Sequence, residues 1–552
     1  MMDIRIRWKY LALLPLLLFP SLAIPSGSSA YQTGSGESFC GTSRQRQLNA
    51  IAKDRYLESR TRLLERLGRR PLSQVEKPSA ASDTGDVAVI EDDGTVISDV
   101  NQFDLGSRSF RFEPAGAGSY RAVASDSSYD STTGTTLALK DDDTAEVQLG
   151  FPLTFYGKTY TRVELNSDGN LTFVQGDAAS TDRDLARFVS GPPRIAPFFA
   201  DLNPQAGGKI SYRSMADGMM FTWDAVPDFD STLNRNSFNV RLFTNGNIEF
   251  SYGTIVSPAA VVGIAPGGSI GAINAVDFTA GLPTSSLSGA LVEVFSNSTL
   301  FSEAALSRLF FKTHPDDFDQ LVAFFAFSLT PVQGAFAYEM NIKNEIEGLG
   351  LELNDDTQTY GSNGRLRSFV MMGSLDGPTR FPTDPTANFF RTYNTLQVVA
   401  HEVAHRWLAH PRFGANQTLD LIHTSDKAHW SFFLNADASV MEGNKLEDRG
   451  ADKGDLRFMT TEATNKYSAL DKYLMGYARK EDVPPMFFVQ NPTGIFQTSD
   501  SLPSLGVIFG GTRKDFTVDD VVTANGSRVP SVLQSPKVYR QAFILLTRHG
   551  QQ

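Results

Sequence analysis

This 552-residue sequence contains a single cysteine, Cys40. No intrachain disulfide can form, which excludes a small disulfide-stapled scaffold. Cys40 also lies in a polar stretch near the N-terminus, a poor setting for a catalytic thiol. Long basic runs are missing as well: 50 Lys+Arg stand against 62 Asp+Glu, a net charge of −12. Binding nucleic acid through its phosphates needs a basic face, so that partner class is excluded. Past residue 24 no segment approaches the roughly 18 uncharged apolar residues of a membrane span. Histidine is scarce too, with seven in the chain. What is present is enough apolar material for large cores: 41% hydrophobic against 20% charged residues excludes wholesale disorder. At roughly 100–200 residues per domain, the length suggests about three or four domains.

The N-terminal 30 residues are set apart. Arg5, Arg7 and Lys9 precede an apolar run from Leu11 to Ile24, and a small-residue stretch follows from Ser26 to Ala30. This order is that of a secretory signal, with cleavage expected after Ala23 or Ala30. Fourteen residues of helix span about 21 Å, short of a hydrocarbon core of roughly 30 Å. The mature protein is therefore expected to be secreted or periplasmic, with no membrane span after cleavage.

Residues 31–85 read as a helical segment and linker. Leu48, Ile51, Leu57, Leu63, Leu64 and Leu67 fall roughly at helical spacing within Ser43 to Arg70, and a polar linker follows from Pro71. The helix reads as structural, with a pro-segment covering an active site as the alternative. Residues 86–144 read as hairpins: "VAVIEDDGTVI" turning at Asp93-Gly94, then "FRFEPAGAGSYRAV". From 145 to 301, alternating strands with turns at Asp168-Gly169 and Asn245-Gly246 argue for an antiparallel β-sandwich. From 302 to 490 helical and mixed patterns return. "SEAALSRLFFKTH" reads as a helix, "FDQLVAFFAFSL" and "RLRSFVMMGSL" as buried strands, and "TYNTLQVVAHEVAHRWLAH" as a largely buried helix. The final segment, 491–552, has a helical-looking apolar stretch from Tyr539 to Leu546.

The chemistry concentrates at His401-Glu402-Val403-Ala404-His405. On a helix His401 and His405 project about 40° apart, one turn along the axis. Two imidazoles so placed can grip one tetrahedral Zn²⁺, with Glu402 beside them as general base. Chance occurrences of this pattern in a chain so poor in histidine number on the order of 0.005 per sequence. Five of the seven histidines also lie between His401 and His429. The third donor is open among His429 in "KAHWSFF", Glu442 in "SVMEGN" and His410. His429, beside Trp430 in what reads as a strand entering the site, is preferred, and a continuing helix turns His410 about 140° away from His405. His423 reads as a supporting or surface histidine, and His314 and His549 carry no local pattern. Tyr467 and Tyr473 are candidate donors to an oxyanion. Asp448, Asp452 and Asp455 form an acidic cluster where a structural Ca²⁺ is a candidate, although the spacing is not that of an EF-hand. Asn170, Asn297, Asn416 and Asn525 sit in glycosylation sequons.

Two resemblances follow from these residues. The pieces "FPLTFYGKTYTRVELNSDGNLTF", "RIAPFFADLNP", "FTWDAVP" and "NVRLFTNGNIEFSYG" resemble the nidogen-like extracellular domain. That likeness implies an adhesion or spacer module with an extracellular-matrix or surface ligand. The HExxH segment within 302–490 resembles the zincin metallopeptidases, implying an α+β catalytic domain with His401 and His405 on zinc and Glu402 as base. The histidine of metzincins six residues past the second ligand is absent, and Leu408 stands at their glycine. Ser439-Val440-Met441 is similar to the methionine turn beneath a metzincin's zinc. The expected protein is thus a multidomain, exported zinc endopeptidase acting on protein or peptide substrates. The alternative is a non-catalytic adhesin carrying a degenerate zincin domain.

Overall fold

Alternation of apolar and polar side chains turns residues 109–295 into two facing antiparallel sheets. In Thr144–Phe155 the buried positions Val147, Leu149, Leu153 and Phe155 point inward while their neighbours face water, the period-2 pattern of a half-buried strand. One sheet has eight strands and the other seven. Their inner faces share a core that includes Phe110, Trp223, Phe238, Phe250, Leu165 and Ile264. The turn at Asp168-Gly169 needs its glycine. Gly169 has φ +66°, and a Cβ there would stand 1.9 Å from the Phe198 carbonyl oxygen. The motif residues Asn166, Asp168, Asn170 and Arg194 around that turn are fully buried. Arg194 reaches both Asn170 and Asp177, and its guanidinium lies 4.4 Å from the Phe199 ring centroid.

These coordinates are a computed structural model. It describes residues 40–69, 86–116, 118–329, 335, 337–375 and 395–548. The leader at 1–30, most of the linker and His549 lie outside the described residues. The N-terminal helix spans Arg44–Arg66, capped by the Ser43 hydroxyl accepting from the Arg46 N–H. It docks against the sandwich through Ala52, Tyr56, Leu57 and Leu63, and the Tyr56 hydroxyl accepts from the Val294 N–H.

A five-stranded sheet carries the candidate site. Its strand order is Val87–Glu91, Gln541–Thr547, Gln320–Phe325, Ser368–Ser374 and Tyr338–Asn341. The first four strands run parallel, and the edge strand Tyr338–Asn341 is antiparallel to its neighbour. A parallel sheet is buried on both faces. Leu321, Ala323 and Phe325 pack against the helix Glu303–Phe311, while Val322, Val370 and Met372 face Val398 of the helix Thr395–Ala404. A four-stranded antiparallel sheet follows, ordered Asn444–Asp448, Phe458–Ala463, Ile508–Phe516 and Met486–Thr493.

Four expectations are corrected. "VAVIEDDGTVI" is not a hairpin: Val87–Glu91 pairs with the C-terminal strand, and Ile97 bridges to Phe301. Its turn is real, but the tertiary sheet outcompetes the local partner. The strands Ser109–Pro114 and Ser119–Ala124 do form a hairpin, yet it belongs to the eight-stranded sheet, so a boundary at residue 145 cuts through the sandwich. Tyr539 to Leu546 does not contribute a helix. Gln541–Thr547 is an inner strand that buries Ala542, Ile544 and Leu546 on one face and leaves Phe543 partly exposed on the other, so its nearly unbroken apolar run does not mark a helix. The segment 491–552 is consequently not a separate unit: Gln541–Thr547 joins the sheet of residues 320–374, and Ile508–Phe516 joins the four-stranded sheet.

Glu293 gives the sandwich a pH dependence. Burial pushes its carboxyl up to about 8, against the partial relief of hydrogen bonds from the Phe278 N–H and the Asn101 amide. The folded chain therefore retains a proton that the unfolded chain releases near its ordinary value of 4.5. Stability supplied by that proton is full below about pH 4.5 and is lost as pH rises toward 8. Glu293→Gln should remove this term, so its Tm relative to the parent rises by at least ~2 °C between pH 5 and pH 8. A Tm difference that is flat across that range contradicts the assignment.

Candidate metal centre

The helix Thr395–Ala404 ends one residue before His405. The full run through His410 is therefore not one helix, as its apolar pattern suggested. His405 N–H reaches the Glu402 carbonyl, Trp407 and Leu408 N–H both reach Ala404, and Ala409 turns the chain at φ +63°. His401 and His405 still present their rings to one point, with Nε2 atoms 3.0 Å apart. His429 arrives from the following loop with its Nε2 3.2 Å from that of His401. All three rings are fully buried.

Each ring is oriented from behind. The His401 Nδ1 stands 2.6 Å from the Val440 carbonyl, an acceptor only, so Nδ1 carries the proton. The His429 Nδ1 stands 2.9 Å from Asp426 Oδ2, which also meets His423 Nδ1. Two facing acceptors thus turn the Nε2 lone pairs of His401 and His429 inward, the arrangement that orients metal-binding imidazoles. Val440 belongs to a tight loop in which Asp437, Ala438 and Glu442 all take positive φ, a costly conformation for residues other than glycine. Below it Met441 is buried in the core, and its carbonyl accepts the Trp430 N–H. Trp430 Nε1 in turn donates to Asp471 Oδ1, and Asp471 closes a capping box with Ser468 at the start of the helix Ala469–Leu474. Asp471 thereby ties the His429 strand to a helix whose neighbour Tyr467 donates its hydroxyl to the Ala400 carbonyl.

Burial dominates the electrostatics of the cluster. Burial, then His429, drives His401 down to about 3, and burial holds His405 well below the usual histidine range. Burial also pulls on His429, but the carboxylates of Glu442 and Asp426 raise it above its ordinary value. Burial lifts Glu402 to about 8 and the Cys40 thiol to about 12. Glu402 Oε1 and His405 Nδ1 are buried without a hydrogen bond.

The donor set fits zinc. Two nitrogens about 2.0–2.1 Å from a tetrahedral Zn²⁺ stand roughly 3.3–3.4 Å apart, close to the separations found here. Imidazole nitrogens at this spacing need a proton or a metal cation between them. The fourth group at the same point is Cys40, whose Sγ is 3.2 Å from His405 Nε2. A second grouping shares His429 with His423 and Glu442, the Glu442 carboxylate lying about 4 Å from both rings.

The other sequence candidates are placed elsewhere. His410 Nε2 bonds the His405 carbonyl, not the cluster. Tyr467 is committed to Ala400, and Tyr473 is buried in the core beside Leu474. Asp448 is held by Arg457 and Arg513, well below the usual carboxylate range, and does not converge with Asp452 and Asp455 on a shared point. His314 stacks on Phe310. Thr42 and Asp426 were not singled out, and Cys40, expected in a polar setting, is instead buried in the cluster. Asp426 was legible in the spacing His423-x-x-Asp426-x-x-His429, whereas nothing local marks Cys40, which meets its partners across more than 360 residues.

Residues 119–297 match the domain family described as NIDO related. Comparison with curated proteins and with solved structures finds no match. The nidogen-like part of the sequence is thereby supported as a NIDO-related β-domain, within a chain that is mostly β-sheet with few helices. No described helix is long and apolar enough to cross a membrane.

Removing the Asp471 carboxylate leaves the Trp430 indole N–H and the Ser468 N–H unpaired in a dry interior. Asp471→Ala should cost about 2–4 kcal/mol, read as a lower urea midpoint at unchanged slope. A midpoint equal to the parent's rules out this tie.

Proposed function

We propose that this protein is an exported zinc-dependent endopeptidase whose NIDO-related sandwich is an accessory extracellular binding module. The observation that carries the reading is the convergence of three imidazoles, the His401 Nε2 lying 3.0 Å from that of His405 and 3.2 Å from that of His429, with Glu402 on the same helix as His401. His401, His405 and His429 would hold the ion. A bound Zn²⁺ supplies Lewis acidity toward the scissile carbonyl and acidifies the attacking water.

The remaining work falls to the chain. Glu402, one residue from His401, takes the proton of the attacking water and passes it to the leaving amine. Beside His405 lies a cleft of about 270 Å³ bordered by Glu339, Asn341, Leu351, His410 and Arg412. One wall is the edge strand Tyr338–Asn341, and the side of it away from Ser368–Ser374, held here by Gly41 and Thr42, is where an extended peptide would add as a strand. Asp426 and the Val440 carbonyl act only on ring orientation. The leader at 1–30 and the NIDO-related match support export, and the same match supports the second reading, a non-catalytic adhesin.

Two variants separate these readings. Glu402→Gln should keep the zinc content and melting profile of the parent while casein cleavage falls about 10²–10⁴-fold. Cleavage at the parent's rate refutes the role of Glu402. Asp426→Asn should weaken zinc binding about 10–100-fold in a chelator competition. A protein that takes up no zinc, and cleaves nothing, is the adhesin.

A further inference from the structure

We infer that Cys40 is a fourth donor to this metal site and latches it shut, its sulfur standing where water and the scissile carbonyl must enter. The inference rests on the zinc-peptidase reading above and adds its regulation. Cys40 Sγ and the three Nε2 atoms lie within 4.8 Å of one another, all buried. Three imidazoles and one thiolate complete a tetrahedral zinc shell, leaving no position for water; a hydrolytic site needs one open.

Glu402 is covered by the same strap. Its Oε2 accepts from Cys40 Sγ at 3.3 Å and from the Thr42 hydroxyl at 3.2 Å, while its Oε1 is buried with no hydrogen bond. The base is therefore turned onto the strap and shielded from a substrate water. The strap also occupies the edge strand. Gly41 N–H donates to the Ala337 carbonyl, the Glu339 N–H donates to the Thr42 hydroxyl, and Cys40 bridges Ala337 in parallel sense. One three-residue segment thus fills the donor position, the base and the peptide-binding edge together.

Its position is fixed by the helix Arg44–Arg66 that begins directly after it. Asp54 of that helix accepts from the Ser302 hydroxyl and from Arg308, and Lys53 pairs with Glu303. Closing forms one sulfur–metal bond as the thiol proton leaves to solvent. Opening breaks that bond, returns a proton to sulfur and admits water, so no oxidant or reductant is required.

The test compares the full-length parent, Cys40→Ala and Cys40→Ser, each loaded with Zn²⁺ for activity and with Co²⁺ for spectroscopy. The parent's cobalt form should show a near-ultraviolet thiolate-to-metal charge-transfer band that both variants lack at equal metal content. Both variants should cleave casein at least about tenfold faster than the parent, the gain expected when an open fraction of a tenth or less becomes whole. Metal bound without a thiolate band, with equal cleavage by all three chains, overturns the latch and leaves the peptidase standing. A band in the parent with no faster cleavage by the variants makes Cys40 a permanent ligand and also overturns it. No metal in any of the three chains overturns the zinc site itself.

Discussion

Three imidazole nitrogens about 3 Å apart in a water-free interior are the constraint around which this part of the chain is arranged. Burial holds His401 and His405 in the neutral form, while the carboxylates of Glu442 and Asp426 favour charge on His429. Such a cluster suits a cation at its centre with acceptors behind it. The Val440 carbonyl and Asp426 supply the acceptors, and Glu442 adds negative charge nearby. The strained positive-φ turn from Asp437 to Glu442 follows from the same demand, since it aims the Val440 carbonyl at His401.

The sheet makes that placement rigid. Because it is buried on both faces, helices must cover each side, and the one bearing His401 and Glu402 is seated by Val398 against Val322 and Val370. The opposite face is closed by Glu303–Phe311, which is held in turn by the N-terminal helix through Asp54 and Arg308. A chain of packed elements therefore connects the NIDO-related sandwich, the N-terminal helix and the metal-site helix. This gives the N-terminal segment a structural role and a position at the site simultaneously, two readings that looked exclusive in the sequence.

What was legible in the sequence was what depends on local spacing. Period-2 alternation and Asx-Gly turns located the sandwich strands, and the i, i+4 pair put His401 and His405 on one side of a helix end. His429 could be named as a candidate because few histidines were available, not because any pattern joined it to the helix. Illegible were relations set by tertiary pairing: Val87–Glu91 beside Gln541–Thr547, an inner strand that reads as helix because both of its faces are apolar, and the helix stop at Ala404, imposed without a glycine. Cys40 belongs to this class. A thiol in a polar N-terminal stretch has no periodic signal, and its significance arises only when residues 360 positions away enclose it.

That enclosure bears on how the NIDO-related domain and the metal centre relate in function. The N-terminal helix has one side in the sandwich, at Tyr56 and Leu63, and delivers Cys40 to the histidines from its own N-terminus. A ligand that shifted the sandwich against this helix would move the strap without touching the histidine cluster. Coupling of that kind requires only that the ligand bind one helix position better than the other, and its size is limited to that difference. The same geometry makes the coupling reciprocal: whatever loosens Cys40 from His405 must also alter the free energy with which the sandwich holds the helix.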